Sequence, residues 1–365
     1  MITCRAPGKL FIAGEYAVVQ PGHLAVLTAV DRFATATVRA TEGDTTLHSE
    51  LDGGVSLSCK RVGDGMVAST ADGSVPAAFA YVFAAVSIVD RLLVEHGIAA
   101  RPFRLDISSD LGAEDGRKFG LGSSAAVTAA TIAALGTYYR LDLSAMDRYR
   151  LAMMATISVN PRASGGDVAA STWGGWLTYG SPDRDHVSEL VANGGVDAAL
   201  RAPWPGLSVR PLPTPTELAM QVGWTGTPAS TPTLVAGLGN NDRQRGDRTA
   251  FLSGSDQCVQ RLVVALEADD STGIRTEIRR ARALLIELDA TDRLGIMTPR
   301  LRALCDAGEA VGAAAKPSGA GGGDCGIALI ERTRTSAITE LTDRWVTAGI
   351  RPLTLRTHPF EGASE

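Results

Sequence analysis

Four short segments hold the residues whose types and spacing could do chemistry. Mid-chain, Gly120-Leu121-Gly122-Ser123-Ser124-Ala125-Ala126 runs straight into an alanine-rich stretch. A helix start leaves backbone N–H groups unpaired and carries partial positive charge. Glycines before it let a phosphate come close to the backbone. The two serines add hydroxyl donors, and one can ligate Mg²⁺. Taken alone, the segment is equally an ordinary serine cap after a glycine turn. Near the C-terminus, Ser318-Gly319-Ala320-Gly321-Gly322-Gly323 is a run that orders poorly by itself, because glycine loses the most conformational freedom on folding. A ligand held against that backbone is one way to compensate. Asp167 follows Ser164-Gly165-Gly166. Its carboxylate either caps a turn or orients a substrate hydroxyl or phosphate, or holds Mg²⁺. The fourth segment, Ala6-Pro7-Gly8-Lys9, puts a lysine where a strand begins.

The lysines sharpen this. Of 35 basic residues only Lys9, Lys60, Lys118 and Lys316 are lysine; the remainder are arginine. Lys9, Lys118 and Lys316 lie in or beside glycine-rich segments, where a compact point charge suits phosphate. The mid-chain segment is not the usual P-loop, because G-x-x-x-x-G-K-[ST] is absent. It does match G-x-G-x-x-A, with Asp142 at a suitable distance. However, the dinucleotide motif needs a strand running into its first glycine, and Gly112 to Lys118 reads as a loop.

The elements that must position these residues follow from pattern. Residues 9–19 and 23–40 read as strands, with short alternating runs at 46–50 and 55–59. Residues 75–97 read as a buried helix stopped by Gly97, 103–111 as a strand, and 123–140 as a helix opened by serines. A further helix opens at Ser144. The stretch 181–197 is polar and reads as a loop, which puts a domain boundary there: 1–185 and 186–365. Strands are expected at 206–213 and 217–226, then long Arg- and Glu-rich helices. Thr298 and Pro299 mark a proper helix start. Strands follow the glycine run and close the chain near 351–356. The class is α+β in two domains.

Composition bounds the rest. The chain has 365 residues, net charge −5, and 45% hydrophobic and 21% charged residues, so a packed core is expected. The net charge argues against nucleic acid as a partner. No run of eighteen apolar residues and no signal-like N-terminus is present, so a cytoplasmic protein without a membrane partner is expected. Five scattered cysteines suggest neither zinc nor disulfides.

In order along the chain, "APGKLFIAGEY", "GLGSSAA" and "KPSGAGGGDCG" resemble the three signature motifs of the GHMP small-molecule kinases, over nearly the whole sequence. Within that superfamily the chain is most similar to the bacterial-type phosphomevalonate kinases. Tyr16 stands where mevalonate kinases usually have His, and "VGWTGTPAST" (222–231) resembles a phosphomevalonate kinase segment. The resemblance implies a ribosomal S5 domain 2-like N-terminal domain and a ferredoxin-like C-terminal domain. It also implies ATP-dependent phosphorylation of (R)-5-phosphomevalonate to 5-diphosphomevalonate in isoprenoid biosynthesis, with a sibling such as mevalonate kinase as the alternative. ATP would lie on Lys118 and Gly120, Leu121, Gly122, Ser123, Ser124 and Ala125, with Mg²⁺ on Ser124. Lys9 and Asp167 would be catalytic, Lys9 as the electrostatic catalyst and Asp167 orienting Lys9 and the substrate. Substrate would meet Lys9, Tyr16, Ser164, Ser230, Ser318, Gly319, Ala320 and Gly321. The partners would be these small molecules alone, on a monomer or homodimer. Two departures stand out: Gly116 replaces a proline common in the family, and Thr156 replaces a glutamate metal ligand of mevalonate kinases.

Overall fold

Ile2 to Ala13 form β1, and from Ala6 onward every residue of it is buried. That is the signature of a strand covered on both faces, and it brings Lys9 into the interior. The structure, a computed structural model, describes residues 1–50, 54–63, 65–227, 234 and 248–361. β1 pairs antiparallel with the long β2 (Leu24–Ala40). The other strands of this eight-stranded sheet are β3 (Thr45–Ser49), β4 (Val55–Val62), β5 (Gly65–Ala68), β6 (Phe103–Ser109), β7 (Trp176–Gly180) and β8 (Ser208–Leu212). Their order is β5-β4-β3-β6-β2-β7-β8, with β1 off this path on β2.

Helices α1 (Ala80–Glu95), α2 (Ser123–Tyr139) and α4 (Gly166–Trp173) lie against the sheet, and α3 (Ala145–Val159) packs on these helices. α2 is buried over most of its surface, which fits its Ala-rich, nearly uniform apolarity. α3 opens with a reciprocal capping box between Ser144 and Asp147. The helical stretch Ala77–Glu95 is long and apolar enough to cross a membrane by composition, but it packs against α2 and α3 as a core helix.

Two expectations change here. The stretch read as a loop around 181–197 is largely helix α5 (Arg184–Arg201), kinked at Gly195 (φ 84°). The Asn193-Gly194-Gly195 sequence masks the helical pattern, and the tertiary structure restores it. The Glu95 carboxylate accepts from Val196 N (2.8 Å) and Asp197 N (2.6 Å), capping the second half of the helix from outside. The first sheet also continues past residue 185, because β8 pairs with β7 across Ser208 to Leu212.

The second lobe is a four-stranded antiparallel sheet, β10-β11-β9-β12, made of β9 (Leu218–Trp224), β10 (Ala314–Pro317), β11 (Cys325–Glu331) and β12 (Arg351–Leu353). Helices α6 (Arg248–Glu267), α7 (Ser271–Asp292), α8 (Pro299–Ala310) and α9 (Thr335–Thr347) accompany it. Thr298 caps α8 and Pro299 opens it, as the sequence indicated. The chain then returns to the first lobe. His358 N donates to Ala29 O (3.0 Å) and Gly175 N to His358 O (2.7 Å).

Candidate active site

The glycine-rich turn before α2 is shaped by backbone geometry. Gly120 and Gly122 hold φ of +82° and +78°, conformations that glycine adopts freely. The turn is bound to β1: Lys9 N donates to Leu121 O (2.9 Å) and Lys9 Nζ to Gly120 O (3.0 Å). Gly8 permits that approach, since a Cβ there would lie 2.9 Å from Leu121 O and overlap Leu111. Gly122 caps α2 without a side-chain acceptor, and the first intrahelical bond runs from Ala126 N to Gly122 O. The amides of Ser123, Ser124 and Ala125 therefore remain as donors at the positive end of the helix. Neither serine hydroxyl has a partner among the described residues.

Asp167 lies in the first turn of α4, after Gly165 (φ 82°). Its Oδ1 accepts from Val168 N (3.0 Å). The turn is fixed from behind, where Ser164 O accepts from Tyr179 Oη (2.6 Å) and Ser181 Oγ (2.9 Å). Ser171 Oγ donates to Pro7 O (2.8 Å), tying α4 to β1. Nearby, the Tyr81 phenol is held above its ordinary pKa by burial and then by the Asp167 charge. Lys9 and Asp167 face the same cleft but form no ion pair among the described residues, so Asp167 does not orient Lys9 by direct contact.

The C-terminal glycine run closes the third side. Here side chains do the ordering. Ser318 Oγ donates to Phe11 O (3.0 Å) and accepts from Phe11 N (2.9 Å). Tyr16 Oη donates to Ala320 O (2.5 Å). Lys316 is fully buried, ion-paired with Glu15, and donates to Pro317 O (2.6 Å). Glu15 also accepts from Gly319 N (3.4 Å). Together these three sides enclose a cleft of about 480 Å³.

The GHMP kinase N-terminal domain family matches residues 80–175 and the GHMP kinase C-terminal family residues 262–347. A phosphomevalonate kinase of Streptomyces is 50% identical over 99% of this chain and 98% of its own. The chain belongs to the GHMP kinase family. A solved structure of Streptococcus pneumoniae phosphomevalonate kinase, in complex with phosphomevalonate and AMPPNP, superposes on this GHMP kinase with a TM-score of 0.85. It is 29% identical, covering 98% of this chain and 100% of the other. A mevalonate kinase of Thermococcus sibiricus is 26% identical over 93% of this chain and 92% of its own.

Against this GHMP kinase's own geometry, most of the expected residues line the one cleft: Lys9, Tyr16, Lys118, Gly120 to Ala125, Ser164, Asp167, Ser318, Gly319 and Ala320. Four of the residues singled out from the sequence have partners of their own in the fold. Gly321 does not line it; its α-carbon packs on Ile296, where a Cβ would meet Ile296 O at 2.6 Å. The Ser318 hydroxyl is occupied by the Phe11 backbone, and the Tyr16 hydroxyl by Ala320 O. Lys316, set beside phosphate by its glycines, is a buried partner of Glu15 instead. Ser230 lies outside the described residues. Sequence reasoning passed over Phe11, Glu15, Tyr81, Asn160, Arg162 and Asp324 on the cleft wall. Asn160 and Arg162 stand immediately before the Ser164–Asp167 turn, and that adjacency was the available signal.

Proposed function

We propose that this chain transfers the γ-phosphoryl group of ATP to the phosphate of (R)-5-phosphomevalonate, giving 5-diphosphomevalonate and ADP. The observation that carries this is the full-length likeness to phosphomevalonate kinases, one of them bound to phosphomevalonate and AMPPNP, joined to a cleft lined by a helix N-terminus and a buried lysine. The phosphates of ATP fit the free amides of Ser123, Ser124 and Ala125. The acceptor phosphate is already largely ionised near neutral pH and needs little help from a base. Positioning and charge stabilisation then dominate the reaction. An ammonium group has three donor hydrogens. With one on Gly120 O, Lys9 keeps two for phosphate oxygens. Asp167 shares the wall and orients the substrate.

Mg²⁺ would neutralise the nucleotide phosphates. The uncommitted Ser124 hydroxyl suits it, and no cluster of three acidic, Cys or His side chains occurs among the described residues, so water and phosphate oxygens would fill the remaining positions. Thr156 supplies no carboxylate where mevalonate kinases use one; its hydroxyl donates to Ala152 O (2.8 Å). ADP release measured with mevalonate and phosphomevalonate side by side tests the reading. A site shaped for a phosphate leaves donors unpaired without it, so mevalonate should be poorer by roughly 10⁴-fold in kcat/KM. Comparable values would reassign the chain to a sibling kinase.

A further inference from the structure

Resting on the acceptor just proposed, the cleft has one cation that phosphate chemistry does not use. Lys9 sits against the glycine turn, and Lys118 precedes it. The opposite wall, from α1 and α3, presents Tyr81, Thr156 and Asn160, and carries no glycine loop. Its only cationic member among the described lining residues is Arg162, and the Asp167 carboxylate lies near Tyr81 on the same side. Most of the structure's ion pairs involve arginine, yet the Arg162 guanidinium has neither an acidic partner nor a hydrogen bond among the described residues. The loop beneath it is nonetheless fixed. Arg162 N donates to Asn160 Oδ1 (3.2 Å), Ala163 N to Asn160 O (3.0 Å), and Ser164 O takes two hydroxyl donors. A rigid base thus presents a free head to the cleft.

Phosphomevalonate has two anionic ends, the phosphate that reacts and a carboxylate that does not. We propose that Arg162 is a specificity-determining residue whose guanidinium receives the carboxylate end of the acceptor. A planar guanidinium meets a carboxylate through two parallel hydrogen bonds, a geometry lysine cannot reproduce. The acceptor would then be held at both ends, with its phosphate on the Lys9 side.

The test compares the wild type, Arg162→Met and Arg162→Lys in steady-state ADP release, with phosphomevalonate and with its C1 carboxamide. Arg162 is exposed, so neither variant disturbs the core. Arg162→Met should raise KM for phosphomevalonate roughly ten- to hundredfold, the effect of a lost charge-assisted hydrogen bond, and leave KM for ATP unchanged. Arg162→Lys should recover only part. With the carboxamide, wild type and Arg162→Met should differ little, because the charge that Arg162 reads is gone. An equal loss on acid and amide would overturn the inference, as would an unchanged KM on the acid. Absence of turnover of phosphomevalonate by the wild type would instead overturn the functional reading, and this inference with it.

Discussion

Lys316→Met separates a phosphate ligand from a structural ion pair. Lys316 is fully buried against Glu15, which is itself 5% exposed. Removing one partner of such a pair leaves the other charge uncompensated, which costs about 3–5 kcal/mol. That is a large part of an ordinary folding stability of about 5–15 kcal/mol. With a urea m-value near 3 kcal/mol/M, the unfolding midpoint should fall by about 1 M or more. Tryptophan fluorescence suits the assay, since Trp224 and Trp345 are buried in the second lobe beside the same sheet. Adding Glu15→Gln should restore part of the loss, because the stranded charge disappears. A variant that unfolds at the wild-type midpoint but needs much more ATP or acceptor would refute the argument. It would return Lys316 to the phosphates.

Two further outcomes are expected. Lys9→Met should lower kcat on the order of 10²-fold or more through loss of charge at the transferring group, and wild-type turnover in that variant would remove Lys9 from the mechanism. Ser124→Ala should raise the Mg²⁺ concentration for half-maximal rate more than Ser123→Ala does, and superimposable titrations of both would place the metal elsewhere.

Local features were legible and long-range ones were not. The start of α2 at Ser123, the Ser144 cap and the Thr298-Pro299 start follow from chemistry confined to one turn of chain. So does the need for something to order residues 318–323. What orders them was not legible. The contacts of Phe11 with Ser318 and of Tyr16 with Ala320 join residues more than 300 apart in sequence. From sequence, a side chain from another lobe and a bound ligand compensate a glycine run equally well. Helix α5 was hidden for the same reason, because its second half is capped by Glu95 from α1. Arg162 stands just before the Ser164–Asp167 turn, but only the folded loop shows that its head has no partner among the described residues.

Among the described residues the polypeptide passes between the lobes twice, outward after β8 and back after β12. Two such crossings act as the pins of a hinge, and alone they would let the lobes swing about the line joining them. The Glu15–Lys316 pair and the Ser318 and Tyr16 bonds add a third fastening, made of buried side chains rather than chain connectivity. Arg117 on Gly226 O, Cys325 on Phe119 O and the Phe119–Trp224 ring contact add further fastenings, so the lobes resist swinging. The spacing of the walls that line the cleft is thus set by buried side-chain bonds as well as by the course of the chain.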